Sequence, residues 1–210
     1  MLTAVILAAG EGRRMGQLKQ LLPWNDQTII ETVLDNVCAC TSIDDEIRLI
    51  LGAGAERVEQ LLAGYHDPRL RIMANPAYPS GMLSSIRRGL EGLPRDTFGV
   101  MFVLGDQPMI DSGIFQMMSK EFLKSPAAEI MAPFYRGRRG HPVFIRTSLL
   151  PEVAKLSGPG GLRSLLKRFP EKVQGVEVGY PEVIMDLDYV EEYERLKEIY
   201  GQDDTDETKL

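Results

Sequence analysis

The stretch TAVILAAGEGRRMGQLKQLLPW, residues 3–24, decides how the rest of the chain is read. Its opening TAVILA is a nearly unbroken run of apolar and β-branched residues, the pattern of a strand covered on both faces. A basic, glycine-rich turn follows at once, and it matches neither familiar phosphate loop. A Walker loop needs Gly, four residues, then Gly-Lys-Ser/Thr, whereas Gly10 is followed by Glu11-Gly12-Arg13-Arg14. A dinucleotide fingerprint needs Gly-x-Gly-x-x-Gly, but three residues separate Gly12 from Gly16. The chemistry nevertheless suits a polyanion such as a triphosphate. Glycines let backbone amides approach a ligand closely, and Arg13, Arg14 and Lys19 bring three positive charges within seven positions. The alternative is an ordinary glycine turn with a solvated basic face. Arg13 and Arg14 should point apart, so one of them is expected to reach the ligand.

Downstream, short apolar runs alternate with segments of helical period. Residues 47–52, 70–75 and 99–106 read as strands, and 28–40, 55–63, 81–93 and 112–124 as helices. The first helix carries Ile29, Val33, Val37 and Cys40 on one face, with Cys38 and Cys40 pointing to different sides. This alternation implies right-handed crossovers and an α/β architecture with a largely parallel sheet covered on both faces. Ligands in such sheets bind beyond the carboxyl ends of the strands. The alternation weakens after 124. Residues 129–145 read as two strands around a polar, glycine-rich loop, 160–169 as a short helix, 173–179 as a strand and 189–200 as a closing helix. A single domain is expected over residues 1–200. The acidic segment 201–210 is expected to be a solvated, flexible tail.

Three polar loops should meet at one sheet edge: residues 9–19, LGDQP (104–108) and NPAYPSGMLSSIRRGL (75–90). Asp106 sits at the mouth of the most apolar strand. It suits a Mg²⁺ ligand, since Mg²⁺ takes one or two protein carboxylates and completes its shell with phosphate and water. Equally, Asp106 could cap the helix beginning after residue 111. Ser80 or Gly81 should start a helix with free amides near Ser84 and Ser85, suited to a sugar or base edge or to plain capping. GRRGHPVF (137–144) places Arg138, Arg139 and His141 on a basic loop that would hold a second anionic substrate or form a surface hairpin. In DLDYVEE (186–192), Asp186 or Asp188 offers a second metal carboxylate, while Asp188 with Glu191 also fits a capping box.

Whole-chain properties limit the function classes. The chain has 210 residues, 44% apolar and 26% charged, with a net charge of −6. Its isoelectric point near 5.1 argues against a general nucleic-acid binder, though not against a local basic pocket. Two cysteines two positions apart make neither a disulfide framework nor a zinc site, which fits reduced thiols. The sequence shows no signal-like segment and no apolar run of membrane-spanning length. The expected location is the cytoplasm, with no membrane partner.

Taken together, LAAGEGRRMGQLKQLLPW, NPAYPSGMLSSIRRGL, LGDQP, GRRGHPVF, GPGGLRSLL and DLDYVEEYERL resemble the MobA-like nucleotidyltransferases, within them most closely the molybdenum cofactor cytidylyltransferases, over about residues 3–197. The resemblance implies a Rossmann-like three-layer α/β/α fold with a mixed, mostly parallel sheet of about seven strands. It places Ala8, Ala9 and Gly10 against the base, Arg14 and Lys19 on the triphosphate, and Asn75, Gly81, Ser84 and Ser85 beside the nucleoside. Asp106 becomes a Mg²⁺ ligand with Asp186 or Asp188 as the second, so Lys19, Arg14 and Asp106 are the implied catalytic set. Arg139 and His141 would face the pterin substrate. The implied partners are CTP, a molybdopterin-type cofactor and, downstream, a molybdoenzyme or its maturation chaperone. Ala-Ala-Gly after the first strand goes with CTP in this family and Ala-Gly-Gly with GTP. Two rivals are a different phosphorylated acceptor, such as a sugar phosphate, and a non-catalytic carrier of the cofactor. The chain departs from the family where Gly12 replaces a frequent Ser, and where Asp186-Leu187-Asp188-Tyr189-Val190 replaces Asp-x-Asp-Thr-Pro.

Overall fold

The computed structural model describes residues 1–12 and 15–200. Arg13, Arg14 and the segment 201–210 lie outside the described residues, and with them the expectations for Arg14 and for the acidic tail. Strand β1 (Leu2–Ala8) is buried on both faces, as its composition requires. Leu2, Ala4, Ile6 and Ala8 enter one apolar cluster and Val5 enters another, which is the period-two alternation of a strand between two helical layers.

A short hairpin, β2 (Pro23–Trp24) and β3 (Gln27–Thr28), leads into α1 (Ile29–Cys38). Then come β4 (Ile47–Leu51), α2 (Ala55–Leu61), β5 (Leu70–Ala74), α3 (Met82–Leu90), β6 (Gly99–Leu104) and α4 (Ser112–Lys124). The remainder is β7 (Ile130–Tyr135), β8 (Arg138–Arg139), β9 (Val143–Arg146), α5 (Leu150–Ala154), α6 (Leu162–Arg168), β10 (Val173–Glu177) and α7 (Val190–Tyr200). The main sheet runs β10-β7-β9-β6-β1-β4-β5, with β8 paired to β7 as an eighth strand. β6, β1, β4 and β5 are mutually parallel. Helices α1, α2 and α4 cover one face, and α3, α5 and α6 the other. This is the expected mixed, mostly parallel α/β/α sandwich.

β9 runs antiparallel to both β6 and β7. Two reversals make β7 parallel to β6, so the carboxyl ends of β1, β4, β6 and β7 open at the same edge. Residues 129–145 therefore hold three strands where two were expected. Arg136 and Gly137 both have positive φ, 50° and 75°, which closes a tight two-residue turn and folds Arg138–Arg139 back on Phe134–Tyr135.

Local chemistry fixes the helix ends. Thr28 and Glu31 form a reciprocal capping box at α1. Asp111, not Asp106, caps α4 by accepting from Ile114 N at 2.8 Å, which leaves Asp106 available for the sheet edge. At the other end of α3, the buried Arg48 of β4 donates to the carbonyls of Gly89, Glu91 and Gly92 at 3.1, 2.6 and 2.9 Å. A cation at a helix C-terminus satisfies carbonyls that have no partner within the helix, and here it anchors α3 to the sheet. Cys40 lies beyond the end of α1, so it does not share that helix with Cys38; both thiols are free. The β2–β3 hairpin and α5 are too short to have shown a period in the sequence. Among the described residues no helix is long and apolar enough to cross a membrane.

Candidate active site at the sheet edge

The turn after β1 depends on Gly12. Its φ is +62°, and a Cβ there would lie 2.1 Å from the Gln17 carbonyl oxygen, so a serine cannot occupy this position without remodelling the loop. The departure from the family pattern is thus a steric requirement of this turn. Gln20, 5% exposed, braces the same turn from beneath by donating to the Ala8 carbonyl at 2.8 Å. That brace pins the stretch that leads Ala9 and Gly10 to the wall of a cavity of about 800 Å³.

Lys19 reaches across to two other elements. Its ammonium lies 3.1 Å from Asp106 at the end of β6 and 2.7 Å from Asp188 just before α7. Burial pulls the Lys19 pKa down, but the two carboxylates outweigh it and raise it above the ordinary lysine value. Lys19 therefore stays charged. Asp186, on the same wall, has its pKa raised by lost solvation and then by the negative charges of Asp188, Asp106 and Glu192. Gln107 ties the two carboxylate-bearing segments together by donating to the Met185 carbonyl at 2.5 Å. Asp188 does not form the expected capping box with Glu191. Glu192 instead accepts from the Asp188 and Tyr189 amides at 3.2 Å each, which starts α7 without Thr-Pro and leaves the Asp188 carboxylate to Lys19.

Among the described residues no group of three or more His, Cys, Asp or Glu side chains is gathered into a ready-made metal centre. The donor set still fits Mg²⁺ in its usual manner. Asp106, Asp186 and Asp188 line one wall, their mutual repulsion favours a cation, and one or two carboxylates suffice when phosphates complete the shell.

At the α3 side of the cavity, where the nucleoside was expected, Gly81 (φ 104°) precedes α3, and Gly81 and Ser85 line the cavity. Asn75 and Ser84 lie behind the wall. Asn75 donates to Ser84 Oγ at 2.9 Å and Ser85 Oγ at 3.0 Å, while the Ser84 hydroxyl and amide both donate to the Gly81 carbonyl. The amide near Ser84, expected to be free, is thus engaged. Ala8 is likewise behind the cavity surface. Tyr78 was missed; it lines the cavity and packs so close to Gly52 that a Cβ at Gly52 would meet its Cβ at 2.7 Å.

At the β7 end of the cavity stand Arg138, Arg139, His141 and Arg163, the last missed in the sequence. The His141 amide donates to the Val183 carbonyl at 2.9 Å, which locks this loop to the segment leading to Asp186. Burial and then the charges of Arg163 and Arg139 push the His141 pKa down to about 4, so the ring is neutral at pH 7.

A cavity with a glycine-rich loop, a lysine between carboxylates and a basic far wall is the frame of a phosphate-handling enzyme. The model of the MobA-like NTP transferase domain matches residues 4–174. This chain belongs to the MobA-like NTP transferase family. It is 27% identical over 198 residues to the molybdenum cofactor cytidylyltransferase of Escherichia coli K12, covering 94% of this chain and 96% of the relative. It is 30% identical over 205 residues to the nicotine blue oxidoreductase of Paenarthrobacter nicotinovorans, covering 92% and 95%. Among solved structures, Rv0371c of Mycobacterium tuberculosis H37Rv is 29% identical and superposes with a TM-score of 0.79 over 94% of this chain and 97% of the other. The same protein in complex with manganese superposes with a TM-score of 0.75, covering 94% and 98%.

The chain is therefore an enzyme of nucleotidyltransferase type. Its MobA-like relatives carry names with different activities, so this chain's substrates have to be argued from its own cavity. Of the expected site residues, Ala9, Gly10, Lys19, Gly81, Ser85, Asp106, Arg139, His141, Asp186 and Asp188 share that cavity. Gln20 and Gln107 were missed because glutamine in a loop has no distinguishing sequence signal. Their side-to-backbone bonds appear only once residues 8, 20, 107 and 185 are brought together.

Proposed function

We propose that the protein transfers CMP from CTP to the terminal phosphate of a molybdopterin-type cofactor and releases pyrophosphate, with Mg²⁺ as the metal. The observation that carries this reading is the junction of Lys19 with Asp106 and Asp188 on the wall of a cavity whose opposite end is basic. A triphosphate needs cations and a metal-binding carboxylate at one place, and a phosphorylated acceptor needs cations at another. The similarity to a molybdenum cofactor cytidylyltransferase supports the choice of acceptor. Ala9 supports cytosine, because its methyl group stands at the cavity wall where a purine would need room.

An oxygen of the acceptor phosphate attacks the α-phosphorus in line, and the bond to the bridging oxygen of the pyrophosphate breaks. The acceptor phosphate is already ionised, so no general base is required. The protein's contribution is position and charge. Asp106, with Asp186 or Asp188, would hold the Mg²⁺, which when bound supplies positive charge to the phosphate oxygens. Lys19 would exchange its carboxylate partners for the β- and γ-phosphates and stabilise the leaving pyrophosphate. Gly10 and the turn beyond it would offer backbone amides to the same oxygens. The Arg139–His141 loop would receive the acceptor.

The test is pyrophosphate release with each of the four nucleoside triphosphates, with and without molybdopterin-type cofactor, in the presence and absence of Mg²⁺. Release with CTP that requires both the cofactor and Mg²⁺ is expected. Release with GTP alone would reassign the base. Tight cofactor binding with no release from any triphosphate would make the protein a carrier and reject the proposal.

A further inference from the structure

The β7 end of the cavity concentrates positive charge that the protein does not neutralise. Arg138 and Arg139 form β8, and Arg163 is the second residue of α6; all three line the cavity. Elsewhere Arg48, Arg69, Arg71, Arg88 and Arg168 each pair with a carboxylate. Arg138, Arg139 and Arg163 pair with none among the described residues; Arg57, Arg87, Arg95, Arg136, Arg146 and Arg195 also lack such a pair there, but they do not line this cavity. The charges of Arg139 and Arg163 are close enough to oppose one another and to oppose protonation of His141.

Backbone packing seats the segments that carry these residues. A Cβ at Gly140 would meet the Val183 carbonyl oxygen at 2.1 Å, and the Gly140 amide is bonded to the Pro133 carbonyl at 2.9 Å. The loop carrying Arg139 is thereby seated against its neighbours. Gly161, at φ +53°, lets α6 begin against Met82, whose Sδ lies 3.0 Å from where a Cβ would stand. That contact seats the start of α6, and with it the Arg163 backbone, near the start of α3. Between the cations the wall is apolar, formed by Val143, Leu162 and Leu166. Convergent guanidinium groups over an apolar wall suit a phosphate monoester carried on a flat, apolar body, because a guanidinium fork matches two phosphate oxygens.

We propose that Arg163, acting with Arg139, forms a binding subsite for the phosphate monoester of the second substrate, and that Arg163 selects a phosphorylated acceptor over a neutral alcohol. Naming the ligand an acceptor rests on the transferase reading above; the anion subsite rests on the cavity itself. Because the acceptor phosphate is the nucleophile in that reading, the subsite would hold it next to the α-phosphate and leave the β- and γ-phosphates to the Lys19 end, so it can be probed with the nucleotide position filled.

The probe is phenyl phosphate, with phenol as its neutral counterpart, titrated into the full chain by calorimetry with Mg²⁺ and saturating α,β-methylene-CTP. Wild type is expected to bind phenyl phosphate and to ignore phenol. R163A should bind phenyl phosphate at least tenfold more weakly while binding the nucleotide analogue within twofold of wild type, which also reports an intact fold. R163K should recover part of the loss, since it restores the charge without the fork. Phenyl phosphate binding that is absent in wild type, or unchanged in R163A, would overturn the proposal. Lost phenyl phosphate binding in R163A, with no pyrophosphate release from any triphosphate by wild type, would support the anion subsite and reject the substrates assigned above.

Discussion

The two ends of the cavity solve opposite electrostatic problems. At the β1–β6 end, Lys19 lies between Asp106 and Asp188, so its positive charge is paired within the protein and an excess of negative charge remains. At the β7 end, Arg139 and Arg163 line the cavity and pair with no carboxylate among the described residues, and His141 is driven neutral. At the first end Lys19 has partners without a ligand and must exchange them to accept one. At the second end the guanidinium groups are left to solvent until an anion arrives. A site that has to release phosphates after each turnover gains from the first design, and a site that has to attract a second anion gains from the second.

The largest effect is expected at Asp106. Asp106→Ala should lower single-turnover pyrophosphate release by about 10³-fold, the scale for removal of a group that stabilises transition-state charge. Nucleotide affinity should change only a few-fold by calorimetry, and near-normal release would show that the Lys19 end does not hold the reacting phosphates. Stripping the protein with a chelator should abolish release, and adding back Mg²⁺ should restore it.

Lys19→Ala removes the internal counter-charge. It should weaken triphosphate binding by about 10²-fold, as loss of a charged contact to phosphate does, while leaving phenyl phosphate binding intact. Parallel weakening of both ligands would mean that the two ends act as one.

The arginine end should be visible in the pH dependence of stability. His141 has its pKa lowered from 6.5 to about 4, so the unfolded chain takes up a proton in this interval that the folded chain does not. Stability is therefore full above pH 6.5 and falls as the pH drops toward 4, by roughly 3 kcal/mol in urea melts. His141→Gln should flatten that slope, and a slope identical to wild type would remove His141 as its source. Saturating phenyl phosphate should also reduce the loss, because an anion beside the ring favours its protonated form.

The smallest effect tests the scaffold beneath the Lys19 end. The Tyr193 hydroxyl donates to the Pro23 carbonyl at 2.7 Å, joining α7 to the loop that carries Lys19. Tyr193→Phe should cost about 1 kcal/mol in a denaturant melt.

The parts of this site that the sequence revealed are those whose chemistry is local. Asp106 follows a strand so apolar that a carboxylate at its end has to serve an edge, and the glycines after β1 are dictated by the turn itself. Strand and helix periods fixed the parallel half of the sheet for the same reason. What stayed hidden depends on contacts distant in sequence. Lys19 and Asp188 are 169 positions apart, and Glu192, not Asp188, accepts from the amides at the start of α7. Arg163 reaches the cavity because Gly161 lets α6 abut Met82, a contact that no helical period encodes. The hairpin over Arg138–Arg139 was masked by its length, since two residues show no alternation.

β9 has a consequence for how such an enzyme diversifies. Within the main sheet, the strands ending at the nucleotide loops and those ending at the arginine loop are joined only along β6 and β9, through the register Gly99–Phe102 against Val143–Arg146. Outside the sheet this seam is bridged. The segment that follows β10 carries Asp186 and Asp188 back toward Asp106 and Lys19, and Gln107 bonds the Met185 carbonyl across the same gap. Changes confined to β7 and β8 can therefore leave the register of β1, β4 and β6 intact, whereas changes beyond β10 reach the paired lysine.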